Sequence, residues 1–260
     1  GLTRQGIDLG SRKMLNITQP KVLLVGGRGT SQYEVGEVWH YLDQHVDMPV
    51  SITDLAHLDT LSLSSYTHMI WVQGRYKQVP DKTVKKIESW LNSGGILIGQ
   101  KSAANWFDKK WLKAGFKSNS EIKLAFETTA MKYKDQETLK AKQRIAGAIF
   151  ETQLDLSHPL AFGFTSNTLP MFRNSALLMR QPDKPFITVA SYAKSPLMAG
   201  YTADELQQLI AGSAAIVSHN FGKGKVIGFA TNVNFRGVWY GTSRLMSNAI
   251  FMAGFINAQG

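Results

Sequence analysis

Ser102 is the first residue in the chain whose type and position suggest catalysis. It follows the apolar run Ile96-Leu97-Ile98 and the pair Gln100-Lys101, where a strand should turn sharply into a helix. Many α/β hydrolytic enzymes hold their nucleophile at such a turn. His158 would serve as its base and Asp155 or Glu151 as the orienting acid, giving a serine-type hydrolase. The local sequence is not G-x-S-x-G, however, and Asp155 is close enough to His158 to shape that turn itself. A second set lies between the last strand and the last helix: Asn234, Arg236, Trp239, Tyr240 and Arg244. The two guanidinium groups offer forked donors to a carboxylate and the two rings an apolar wall, which makes this loop a candidate contact surface for a ligand or a neighbouring domain. A third is the loop Gly26-Gly27-Arg28-Gly29, placed where a nucleotide fold holds phosphate. It has neither the dinucleotide pattern nor the G-K-[ST] of a P-loop, so Arg28 is only a contact candidate.

The rest of the composition narrows the chemistry. The 260 residues include no cysteine, so thiol nucleophiles, disulfides and Cys-rich metal sites are excluded. None of the six histidines sits in H-E-x-x-H or a similar metal spacing. The net charge is +10, from 29 Lys and Arg against 19 Asp and Glu. The basic residues are mostly lysine and interleaved with acids, which describes a solvated surface better than a nucleic-acid interface. No apolar run approaches the roughly 20 residues a membrane-crossing helix needs.

These residues must be positioned by elements that the hydrophobic pattern announces. Lys21–Val25, Pro49–Thr53, His68–Val72 and Ile96–Ile98 read as strands. Ser31–His45 reads as a helix opened by a capping box from Ser31 to Glu34. Asp81–Asn92 is a second helix, with Val84, Ile87, Trp90 and Leu91 on one stripe and Ser93-Gly94-Gly95 as its stop. Short apolar strands alternating with helices predict a mainly parallel sheet covered on both faces. Further along, Ala103–Trp111 is a candidate helix, Tyr133–Ile149 is of unsettled type and Phe186–Tyr192 is a strand. A hairpin, Gly212–His219 with Gly224–Ala230, precedes a terminal helix over Gly241–Ile256. Residues 1–20 read as a linker or the tail of a preceding domain, and 21–257 as a single α/β domain.

Four passages carry a resemblance. Ser89–Ile98 and Asp155-Leu156-Ser157-His158-Pro159-Leu160 resemble the class I glutamine amidotransferase-like superfamily. The stretches Gly212–Val226 and Asn234–Ala249 are similar to the C-terminal domain of large bacterial zinc carboxypeptidases. The resemblance implies a flavodoxin-like three-layer sandwich with a C-terminal hairpin and helix. It implies zinc only in an N-terminal carboxypeptidase domain of the same polypeptide, which would be this chain's partner, and a periplasmic or secreted location. With no cysteine at the elbow, it implies no amidotransferase reaction. On this reading the chain is a non-catalytic accessory domain that braces the catalytic domain or presents peptide or peptidoglycan to it. The alternatives are the serine-type hydrolase of Ser102 and His158, and a cell-envelope glycan-binding module.

Overall fold

The computed structural model describes residues 15–256. Most of the expected linker, 1–14, and the last expected domain residue, 257, lie outside that range; residues 15–20 form no regular element and are largely exposed. The first half alternates as its sequence predicts. In order come β1 (Val22–Gly26), α1 (Gln32–Gln44), β2 (Val50–Asp54), β3 (His68–Trp71), α2 (Asp81–Asn92), β4 (Ile96–Gln100) and α3 (Ser102–Phe107). Every residue of β1 and β3 is buried, as strands covered on both faces must be. The α2 bounds coincide with the predicted ones, because Ile87, Trp90 and Leu91 are buried along one stripe. A Cβ on Gly95 would fall 2.3 Å from the Trp90 indole, so the stop signal also makes room for that ring.

The second half departs from expectation. Two short helices, α4 (Asn119–Leu124) and α5 (Gln136–Lys142), lead to β5 (Ala148–Leu154), β6 (Thr168–Arg173) and the long β7 (Thr188–Gly200). Then follow α6 (Asp204–Ile210), β8 (Ala214–Phe221), β9 (Gly224–Phe229) and α7 (Tyr240–Phe251). The nine strands of the described residues join one sheet in the order β2-β1-β3-β4-β9-β8-β7-β5-β6. The pairings from β2 to β9 are parallel, and those from β9 to β6 are antiparallel.

This corrects the predicted fold class. The molecule is not a flavodoxin-like, mainly parallel amidotransferase-type sandwich with a hairpin appended. It is a mixed sheet whose antiparallel part is as extensive as its parallel one. The predicted hairpin, β8–β9, is the seam where the direction changes, since β9 pairs parallel to β4 and antiparallel to β8. The alternation of Ala148–Leu154, buried at every second residue, is that of a strand with one face in the core. A continuous cluster of buried apolar residues runs under both halves, from Val22 to Ile256.

Candidate functional site

The five parallel strands all end at one edge of the sheet, and β4 ends there in a strained turn. Lys101 has φ 52° and ψ −117°, a region a side-chain-bearing residue occupies only at a cost of about 1–3 kcal/mol. The helix that follows lies so close that a Cβ on Gly99 would meet the Phe107 ring at 2.5 Å. This is the sharp strand-to-helix elbow expected from sequence, but Lys101 stands at its apex and Ser102 one residue on.

What Lys101 does there was not legible in the sequence. Its Nζ lies 2.7 Å from Oε1 of Glu34, with both side chains under a tenth exposed. The other oxygen, Oε2, accepts the backbone N–H of Gln73 at 3.0 Å. Ser31 does accept the Glu34 N–H at the start of α1, yet the Glu34 carboxylate, predicted to cap in return, is turned into this buried ion pair. Ser102 is committed as well: its Oγ accepts the Gly74 N–H at 2.8 Å and donates to the Gly74 carbonyl at 2.9 Å. Glu34 and Ser102 thus hold the Gln73-Gly74 loop at the end of β3.

Ser102 and His158 are not brought together. β5 runs opposite to β4, so His158, which follows β5, lies at the other edge of the sheet from Ser102. Its Nδ1 accepts the Leu160 N–H at 3.1 Å, capping the short 3₁₀ turn of Pro159–Ala161. Burial drives its pKa down to about 4, against the nearby Asp155 charge, which pulls upward. Asp155 itself accepts from the Ser157 N–H and hydroxyl, the local turn its spacing suggests.

The remaining candidates divide between pins and surface. Arg28 is exposed, and among the described residues only its backbone N–H is engaged, 3.4 Å from Asp54 Oδ2. Asn234 is fully buried, and neither atom of its side-chain amide has a partner among the described residues. The Arg236 backbone N–H donates to Glu37 Oε1 at 2.7 Å, and the Asn232 amide donates to Oε2. Burial pushes the Glu37 carboxyl above its ordinary range and the Glu34 charge adds to this, while the Asn232 and Arg236 donors pull it back. Arg236 has φ 51°, so its side chain projects from a second strained position, exposed and over the Phe235 ring. Phe235 in turn stacks on Phe172 of β6 at 3.5 Å. Arg244 donates to the Gly163 carbonyl, and Asn248 to those of Leu160 and Phe162, so α7 fastens the turn that His158 opens.

The loop between β9 and α7 also builds a cleft against β6, the outermost strand. It has a volume of about 210 Å³ and is lined by Leu169, Pro170, Val238, Trp239, Tyr240 and Gly241. The Trp239 Nε1–H donates to the Pro170 carbonyl at 3.2 Å, which fixes the indole in place. Val238 and Tyr240 are 65% and 63% exposed, so the cleft is open and apolar. A larger depression of about 450 Å³ lies between α4 and α5, but no histidine, carboxylate or tryptophan lines it.

The fold resembles that of ThuA-like proteins. A ThuA-like protein from Parabacteroides merdae superposes with a TM-score of 0.58 at 12% identity, over 94% of this chain and 93% of that one. A second, from Bacteroides uniformis, gives 0.54 at 11% identity over 91% of each chain. The β-galactosidase of Bacillus circulans sp. alkalophilus gives 0.50 at 11% identity, and there 89% of this chain covers only 30% of the enzyme. No protein-family model matches the sequence, and neither does any curated protein.

These findings overturn the resemblance to amidotransferase-like carboxypeptidase domains. Structures similar to this chain include ThuA-like proteins and part of a glycosidase. Among the described residues, no group of three or more His, Asp or Glu side chains is placed to hold a metal. Because the structural matches are to ThuA-like proteins and part of a glycosidase, the accessory role toward an N-terminal zinc carboxypeptidase, and that domain as partner, are withdrawn. Among the described residues no helix is long and apolar enough to cross a membrane.

Proposed function

We propose that this chain is a glycan-binding module and that the saccharide rests in the Trp239–Tyr240 cleft. The observation that carries this reading is the cleft itself. Sugar rings have apolar C–H faces and polar rims, and they pack on aromatic surfaces whose neighbours can hydrogen-bond. The cleft offers a pinned indole, an exposed phenol and an apolar floor of Leu169 and Pro170. Its volume falls below the roughly 300–1,000 Å³ of pockets that enclose drug-sized ligands, so it fits one ring of a longer chain. Likeness to a part of a β-galactosidase, an enzyme whose name places it on sugars, supports the same class of ligand.

Arg236 and Arg244, both exposed, flank this segment in sequence; Arg244 follows Tyr240 by one helical turn and keeps donors besides the one given to the Gly163 carbonyl. Together with the +10 charge, they favour saccharides bearing carboxylates, as in acidic bacterial envelopes. Binding should weaken with salt for such polymers more than for neutral ones. This reading puts the protein in the periplasm or outside the cell, and fractionation should find it with the envelope; a purely cytosolic pool would count against it.

Retention on insoluble bacterial polysaccharide tests the function. The intact chain should be retained, and Trp239→Ala should weaken retention at least about tenfold, the scale for losing an aromatic anchor, when both proteins are compared well below their thermal midpoints. Equal retention of the two proteins would refute the cleft as the site. Failure of the intact chain to bind any of a range of neutral and acidic polysaccharides at low salt would refute the function.

A further inference from the structure

Arg173, the last residue of β6, is fully buried. Its Nε–H donates to the Ser175 carbonyl at 2.7 Å and one Nη2–H to that of Leu177, while Nη1 has no partner among the described residues. Among the described residues no carboxylate comes within ion-pairing distance of it. A desolvated guanidinium without a counter-charge is among the least favourable things a core can contain, and arginine cannot escape by losing its proton. The face of Tyr192 lies against it, 5.1 Å from the ring centroid to Cζ, and supplies part of the missing negative potential. The Tyr192 hydroxyl is buried too and has no partner among the described residues. The same is true of the hydroxyl of Thr202, two residues beyond Gly200, which flanks Ala148 of β5 on the side opposite Arg173.

We infer that Arg173 and Tyr192 form a binding site for a small monovalent anion of chloride size. The unpartnered Nη1 and the phenol supply N–H and O–H donors, and the anion supplies the charge the guanidinium lacks. The two carbonyls already on Nε and Nη2 hold the guanidinium plane, which leaves Nη1 as the anion-facing corner. The Asn174–Leu177 segment that wraps the group is at the surface, so exchange requires only its local opening. The site is independent of the Trp239 cleft and stands or falls without it.

Thermal unfolding in sodium chloride against sodium gluconate at equal ionic strength is the test. The midpoint should rise with chloride and saturate, as expected for a ligand bound only to the native state, with no such rise in gluconate. Arg173→Met should fold without chloride and lose the dependence. Identical midpoints in the two salts, or a dependence retained in Arg173→Met, would overturn the site. Should Arg173→Met not fold, Tyr192→Phe should raise the half-saturating chloride concentration about tenfold, the scale of one hydrogen bond to a charge; an unchanged value would overturn it equally. In crystals soaked in bromide, the anomalous signal should sit at Arg173 Nη1, and its absence there would contradict the assignment.

Discussion

Lys101→Met is expected to destabilise the protein by about 3–5 kcal/mol, because it leaves the Glu34 carboxylate buried with no cation beside it. The ion pair is 2.7 Å long and nearly inaccessible, so solvent cannot take over the role of the ammonium. Three segments depend on it: the elbow after β4, the first turn of α1, and the Gln73-Gly74 loop held by the second Glu34 oxygen. The double variant Lys101→Met, Glu34→Gln should recover most of the loss, since a buried pair replaced as a unit is often close to neutral. The strained backbone at Lys101 is common to both variants and cancels in the comparison. Urea unfolding of the two single variants and the double measures the coupling directly. A loss below about 1 kcal/mol for Lys101→Met would mean that the pair behaves as an exposed one.

The second large effect is acid lability above the range where carboxylates titrate. Burial pushes both His68 and His158 down to about 4, whereas in the unfolded chain they titrate near 6.5. Between those values the unfolded state binds protons that the folded state refuses. Stability is therefore complete above about pH 6.5 and is lost as pH falls toward 4, by on the order of 3 kcal/mol for each histidine. Glu37 works in the opposite sense, because burial raises it: its contribution is full below the ordinary glutamate pKa and is lost as pH rises through its folded value. Denaturant midpoints from pH 7.5 to 4 should show the histidine slope. His158→Asn, which keeps an acceptor for the Leu160 N–H, should remove about half of it. A flat profile over that window would contradict the buried neutral histidines.

The contrast between the two halves shows which physics a sequence reports. α2 was legible because Val84, Ile87, Trp90 and Leu91 repeat at helical spacing and two glycines stop the helix; all of that is local. β1, β3 and β4 were legible as short apolar runs, and their parallel pairing followed from the helices between them. The antiparallel half was not. β5 does alternate, but its first residues continue a lysine-rich stretch whose helix, α5, ends only at Lys142. Nothing local tells that β8–β9 is a seam between two pairing directions. That depends on β7, β5 and β6 stacking outward from β8, which is a long-range choice.

The site was legible by type more than by role. Trp239 and Tyr240 lie on an exposed cleft, in keeping with a loop rich in aromatic residues. Glu34 signalled only a helix cap, and its real partner is 67 positions away. Ser102 and His158 have the right chemistry for a dyad, but strand direction puts them at opposite edges of the sheet. Arg173 gave no signal at all, because one arginine in a strand reads as a surface residue until its neighbours bury it.

The most direct measurement is a saccharide titration followed by NMR on the indole and backbone N–H signals. Addition of an acidic envelope oligosaccharide should shift the Trp239 indole Nε1–H and the amides of residues 169 and 238–241 in a saturable way. The indoles of the buried Trp71 and Trp111 should stay unmoved. Saturable shifts confined to another surface, or none at millimolar saccharide of any class, would contradict a glycan-binding cleft between α7 and β6.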